Sequence, residues 1–247
     1  MKKLIAFVEG QTELGYLESL LVHAGRDHRL GVQKHDAADT KSANSVISRI
    51  AFGSSPEELT HFAVILDVKG EGGVLSRLIE NYSQLAKSYD YIITLRDVYP
   101  QSGKLATRKR RAMKSRQRAG APGARMIFAV QEIETWFIAE DSHFERIDER
   151  LTSDMIKKNT GYDPSADHPQ SITHPAQLLG YIYSLVGMGW KKKWYQIERT
   201  VAVLDHSYME SRNRQRLFGY RLLCSIMDEY FSVPTKWCSC LSSNQRR

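Results

Sequence analysis

Over residues 1–140, short apolar runs alternate with longer amphipathic stretches. Leu4–Val8 is a compact apolar run of the kind that forms a buried strand. A helix follows, with Thr12 placed to cap it, Glu13 in its first turn, an apolar stripe at Leu14, Leu17, Leu20 and Leu21, and Gly25 as its stop. A weaker strand is expected around Leu30–Gln33 and a helix over about Ser42–Phe52, with Ser54, Ser55 and Pro56 marking a loop. Phe62–Leu66 is the second clear buried strand, and Asp67 ends it. The glycine-rich Lys69-Gly70-Glu71-Gly72-Gly73 turns into a helix over about Val74–Lys87, which leads to the strand Tyr91–Leu95. A strand at Met126–Val130 and a helix beginning at Glu134–Ala139 complete the alternation.

Strands separated by helices of this length require crossover connections. The predicted fold class is therefore α/β, a mostly parallel Rossmann-like sheet flanked by helices. In such sheets ligands bind at the carboxyl ends of the strands. Residues 141–231 read as a helical C-terminal part, with helices expected over Ala176–Val186, Lys192–Leu204 and Gln215–Phe231 and a proline-rich loop at 161–175. The polar stretch 232–247 reads as a flexible tail.

A chain of 247 residues with 42% apolar content can bury a sizeable core. No apolar run approaches the ~18 residues of a spanning helix, so no membrane partner is expected. The opening MKKLIAFVEG has too short an apolar run for a secretory signal, since Glu9 ends it. The expected location is cytoplasmic. The three cysteines, Cys224, Cys238 and Cys240, make neither a disulfide framework nor a closed zinc site.

The net charge of +7 is local. Residues 101–125 hold nine basic residues and no acidic one, and without them 26 basic residues face 28 acidic ones. Lys104, Arg108, Lys109, Arg110, Arg111, Lys114, Arg116 and Arg118 are candidate contacts to the phosphates of a nucleic acid. A solvated basic face is the plainer alternative.

Four predicted parallel strands each deliver a carboxylate to one edge. Glu9 follows the first, Asp67 ends the second, Asp97 follows the third, and Glu132 and Glu134 follow the fourth. Gathered carboxylates repel, and a hard cation such as Mg²⁺ or Mn²⁺ relieves that repulsion while leaving sites for substrate phosphates. Ordinary loop acids after strands are the alternative. Glu132 and Glu134 share a face if the segment is strand and diverge if it is helix.

Phe7-Val8-Glu9-Gly10-Gln11-Thr12-Glu13, the turn Lys69–Gly73, Thr94-Leu95-Arg96-Asp97-Val98-Tyr99-Pro100 and the acidic stretch Gln131–Ala139 occur in an order that resembles TOPRIM-like proteins. The resemblance is to prokaryotic relatives of the OLD and RloB-like kind, linked to mobile elements and phage defence. It covers residues 1–140, with 101–125 as a basic insertion. It implies a metal-dependent nuclease with Glu9, Asp97 and Glu134 as catalytic metal ligands, Glu132 as a weaker ligand, and DNA or RNA as substrate. It also allows a partner ATPase or other defence-system protein, and a homo-oligomer. Tyr99 stands where TOPRIM domains usually place a second aspartate, which puts a second metal in question. A non-catalytic nucleic-acid-binding module and an interaction protein for an acidic partner remain open beside the nuclease.

Lesser features have plain readings. Trp190 and Trp194 around Lys191-Lys192-Lys193 suit either base stacking or helix packing. Arg212, Arg214 and Arg216 read as a solvated face.

Overall fold

The structure, a computed structural model, describes residues 1–36, 58–70, 73–98 and 103–231, with the backbone alone at 103–106, 108 and 109. The helix expected over Ser42–Phe52, the loop at Ser54, Ser55 and Pro56, Tyr99 of the stretch Thr94–Pro100, Cys238, Cys240 and the tail lie outside these residues.

Five strands form one parallel sheet: β1 (Lys2–Val8), β2 (Leu30–Asp36), β3 (His61–Asp67), β4 (Tyr91–Val98) and β5 (Arg125–Val130), in the order β2-β3-β1-β4-β5. The chain is thus an α/β protein with a Rossmann-like sheet. Helix α1 (Gln11–Ala24) follows β1, α2 (Gly73–Ser88) follows β3, and α3 (Gly103–Gly120) follows β4. Beyond β5 come α4 (Glu134–Ala139), α5 (His143–Ile147), α6 (Ser153–Thr160), α7 (Pro175–Ser184), α8 (Trp194–Val201), α9 (His206–Asn213) and α10 (Phe218–Phe231). No helix among the described residues is long and apolar enough to cross a membrane.

The central strands are apolar along their whole length because both faces are covered. Leu4, Ala6, Val8, Ile65, Leu95 and Ile127 face one core with α1, α4, α7 and α10. Ile5, Phe7, Val64, Leu66, Ile92 and Met126 face another with α2. Helix α1 thus leaves β1 on one face, while α2 leaves the adjacent β3 on the other. Such a divergence opens a crevice at the carboxyl edge.

Several boundaries moved. β2 runs to Asp36, past the expected Gln33. Helix α1 starts at Gln11, with Gly10 in extended conformation at its N-cap and no side-chain cap, so Thr12 is a buried first-turn residue rather than the cap. Helix α8 starts at Trp194 because Lys192 takes a positive φ of 53°, which breaks the helix expected from that residue. Two of the three arginines expected to be solvated are ion-paired, Arg212 with Asp141 and Arg214 with Glu210 and Asp228, while Arg216 donates to the Asp167 carbonyl and Asn213 Oδ1.

The edge strand β5 is covered by α10. Gly219 permits this, since a Cβ there would lie 1.9 Å from the Phe128 carbonyl oxygen. Backbone cannot yield as a flexible side chain does. Gly219→Ala is expected to cost about 3 kcal/mol, at the upper end of overpacking effects. The melting temperature should fall by roughly 6–12 °C. A calorimetric melt within 2 °C of wild type, about the measurement's own margin, would show that α10 can shift off β5 freely.

Candidate functional site

The carboxyl edge gathers the acidic residues at two levels. Glu9 extends β1 one residue beyond the Val8–Leu95 register pair, level with Arg96 of β4. Its Oε1 accepts a hydrogen bond from Arg96 Nε at 2.5 Å, and both side chains are nearly buried. Arg96 also reaches Met113 Sδ of α3 at 3.1 Å, so the pair sits toward the basic helix. The Glu9 carbonyl accepts from Gly70 N–H at 2.9 Å, which ties the β1 end to the turn after β3.

Asp97 alternates to the other face, the face of α1 and α4, one step beyond Leu95. Its Oδ1 is shielded from solvent and accepts no hydrogen bond from the described residues. Burial holds its carboxyl well above the usual range, and the charges of Glu13 and Glu134 push it further, with Glu9 contributing least. Glu13, in the first turn of α1, is 5% exposed. Burial raises it to about 7; its own backbone N–H opposes this, and Glu134 and Glu9 add to it.

Glu134 opens α4 and is fully buried. It accepts from Trp190 Nε1 at 3.3 Å and from Lys192 Nζ at 3.2 Å. Burial raises its pKa, against the pull of Lys192. Glu132 lies before the helix and turns to α7, where its Oε2 accepts from Ala176 N–H at 3.0 Å. Gln131, with a φ of 68°, makes the bend between β5 and this pair. The Lys192 ammonium lies 3.0 Å from Glu134 Oε1 and 3.5 Å from Glu132 Oε1, so the two glutamates do meet one cation, supplied by the chain itself. Burial would lower the Lys192 pKa, but the field of Glu134, Glu132 and Asp97 raises it instead. Its left-handed backbone stores of order 1 kcal/mol, which the ion pairs hold in place.

Asp67, on β3, is buried and accepts from Lys69 N–H at 2.9 Å. It lines a cleft of about 320 Å³ with Glu9, Gly10, Gln11, Thr12, Glu13, Lys69 and Lys192. The first turn of α1 therefore opens onto the acidic edge.

The oxygen-only donor set, and the orphaned Asp97 Oδ1 within it, fit a hard divalent cation in their chemistry. They do not form a finished shell. No three His, Cys, Asp or Glu side chains among the described residues stand together closely enough to hold a metal ion. Glu9 and Asp97 share the edge as expected but leave on opposite faces, and the side chains nearest Asp97 in effect are Glu13 and Glu134.

Three participants escaped the sequence reading. Glu13 was legible as a favourable first-turn acid, Arg96 only as a member of the stretch Thr94–Pro100, and Lys192 as one of three lysines. Both tryptophans beside those lysines pack inward, Trp190 on Phe137 and Tyr183, and Trp194 under Lys34.

The basic segment forms α3, an 18-residue helix without an acid. Among the described residues, Arg110, Arg111, Lys114, Arg116 and Arg118 pair with no carboxylate, whereas Arg125 pairs with Glu229. The side chains of Lys104, Arg108 and Lys109 lie outside the described residues. Arg110, Arg111 and Lys114 line a second cleft, of about 220 Å³, with Thr107, Phe128, Val130 and Phe218. Neither a protein-family model nor a curated protein matches the chain.

Proposed function

We propose that the chain acts on nucleic acid as a Mg²⁺- or Mn²⁺-dependent phosphodiesterase of the TOPRIM-like kind. The observation that carries this reading is the half-buried Asp97, whose shielded Oδ1 has no partner among the described residues, beside Glu13 and Glu134 at the edge that also abuts an acid-free basic helix. Asp97 would hold the cation, and Glu9, Glu13 and Glu134 would have to draw closer to complete its shell; bound there, the cation would supply charge stabilisation to a phosphodiester under attack. Arg110, Arg111 and Lys114 bind the polyanion from α3. Lys192 holds Glu134 in place and opposes the rise that burial gives its pKa. The test is incubation of labelled DNA and RNA with the purified chain, with and without Mn²⁺. Metal-dependent products are expected, and cleavage that persists in excess chelator would rule the metal out.

A second reading has its own observation. Arg96 and Lys192 already neutralise Glu9 and Glu134, as befits a nucleic-acid-binding module without catalysis. It becomes the better reading if nucleic acid binds in a salt-dependent way and no metal supports cleavage.

Binding has its own prediction. Replacing Arg110, Arg111 and Lys114 together by alanine removes three candidate phosphate contacts. The log–log salt slope of affinity should flatten by about 2–3, at 0.7–0.9 per contact. Stability should stay within roughly 1 kcal/mol. Fluorescence anisotropy across a salt series measures it, and an unchanged slope would show that α3 does not touch the backbone.

A further inference from the structure

We propose that the cleft between α3 and the start of α10 takes one unstacked nucleotide of a single strand, with Phe218 as the surface on which the base stacks. This rests on the reading of the chain as a nucleic-acid-acting protein and adds to it the strandedness of the substrate and the residue that reads it.

Phe218 is 52% exposed, whereas Tyr220, Leu223, Ile226 and Met227, which follow it in α10, are buried. An aromatic ring left in water at the mouth of a cleft has no role in the core. Its surroundings are cationic. Lys114 Nζ lies 5.8 Å from the ring centroid and the Arg221 guanidinium 5.3 Å from it. Arg110 and Arg111 line the same cleft, and no acid among the described residues does. A half-exposed aromatic ring with two cations over it matches a ligand that alternates flat rings with negative charge, as a nucleic-acid strand does.

The arrangement favours a single strand for a geometric reason. In a duplex each base face is covered by its stacked neighbour, so a side-chain ring reaches a face only where the base is unstacked. The cleft floor, Phe128 and Val130, belongs to β5. Val130 is the register partner of Val98, the residue after Asp97. A strand seated on Phe218 therefore runs along the edge that carries the carboxylates.

The test compares wild type, Phe218→Ala and Phe218→Trp by fluorescence anisotropy. The probes are an oligothymidine of about fifteen nucleotides, within the range of known single-strand site sizes, the same strand annealed in a duplex, and a poly-glutamate competitor. Phe218→Ala should weaken single-strand binding roughly 5- to 100-fold. It should leave the salt slope unchanged, because no charge is removed. Phe218→Trp should keep wild-type affinity, and duplex binding should not respond to either change. Since the ring is half in water, both variants should melt with wild type. Should Phe218→Ala bind the single strand as wild type does while wild type shows a steep salt slope, the stacking site is wrong and the broader reading stands. Should wild type bind no oligonucleotide at any salt, both fall together. Poly-glutamate that displaces the strand from wild type but not from Phe218→Ala would reassign the cleft to an acidic peptide.

Discussion

Asp97→Asn is expected to lower metal-dependent cleavage by at least about two orders of magnitude while nucleic-acid binding survives. The substitution keeps the size of the side chain and removes its charge. Among the described residues no donor reaches the shielded Oδ1 of Asp97, and burial, then the charges of Glu13 and Glu134, hold its pKa up. A hard cation depends on that charge far more than on the shape, and its loss removes the electrostatic stabilisation of the transition state. Affinity should hold or rise slightly, because a negative charge at the acidic edge is gone. Glu9→Gln is expected to lose cleavage as well, and to lose stability, since it uncharges one side of the buried pair with Arg96. Cleavage rates at equal bound fraction in Mn²⁺ make the comparison. Three proteins that cut equally would place the activity elsewhere.

Glu13→Gln is expected to stabilise the fold at pH 8 and to do nothing at pH 4. The folded pKa of Glu13, about 7, lies above its ordinary 4.5. The folded state therefore holds the proton more tightly than the unfolded one, so stability falls as pH rises from 4.5 to 7 and stays low above that. A rise of that size corresponds to on the order of 3 kcal/mol at most. Glutamine removes this penalty but also the hydrogen bond from the Glu13 amide to the carboxylate. A net gain of about 1–2 kcal/mol, or roughly 2–8 °C in melting temperature, is expected at pH 8. Melts from pH 4 to 8 would show the two proteins converging at the acid end. Parallel curves would mean that Glu13 ionises freely in the folded state.

The strands show how far local pattern reaches. Leu4–Val8, Phe62–Leu66 and Met126–Val130 are apolar enough to be buried on both faces, and they appear as β1, β3 and β5 with ends shifted by no more than two residues. The carboxylates after them lie at the carboxyl edge because parallel strands end together. The helix ends were harder. The start of α8 depends on the backbone turn at Lys192, which exists because its ammonium is drawn to Glu134 and Glu132.

By itself the sequence determined the α/β class, the parallel sheet, the edge where acids collect and the charge of the helix beside it. These follow from residue spacing along the chain, which sets side-chain direction within an element. Tertiary structure alone decided the strand order β2-β3-β1-β4-β5 and which acids meet. Alternation along the strands sends Glu9 to Arg96 and Asp97 to Glu13 and Glu134, and Lys192 reaches Glu134 across 58 residues of sequence. Only the folded chain brings such distant residues together, and burial there, which no spacing reveals, is what raises the pKa values of Glu13, Asp97 and Glu134.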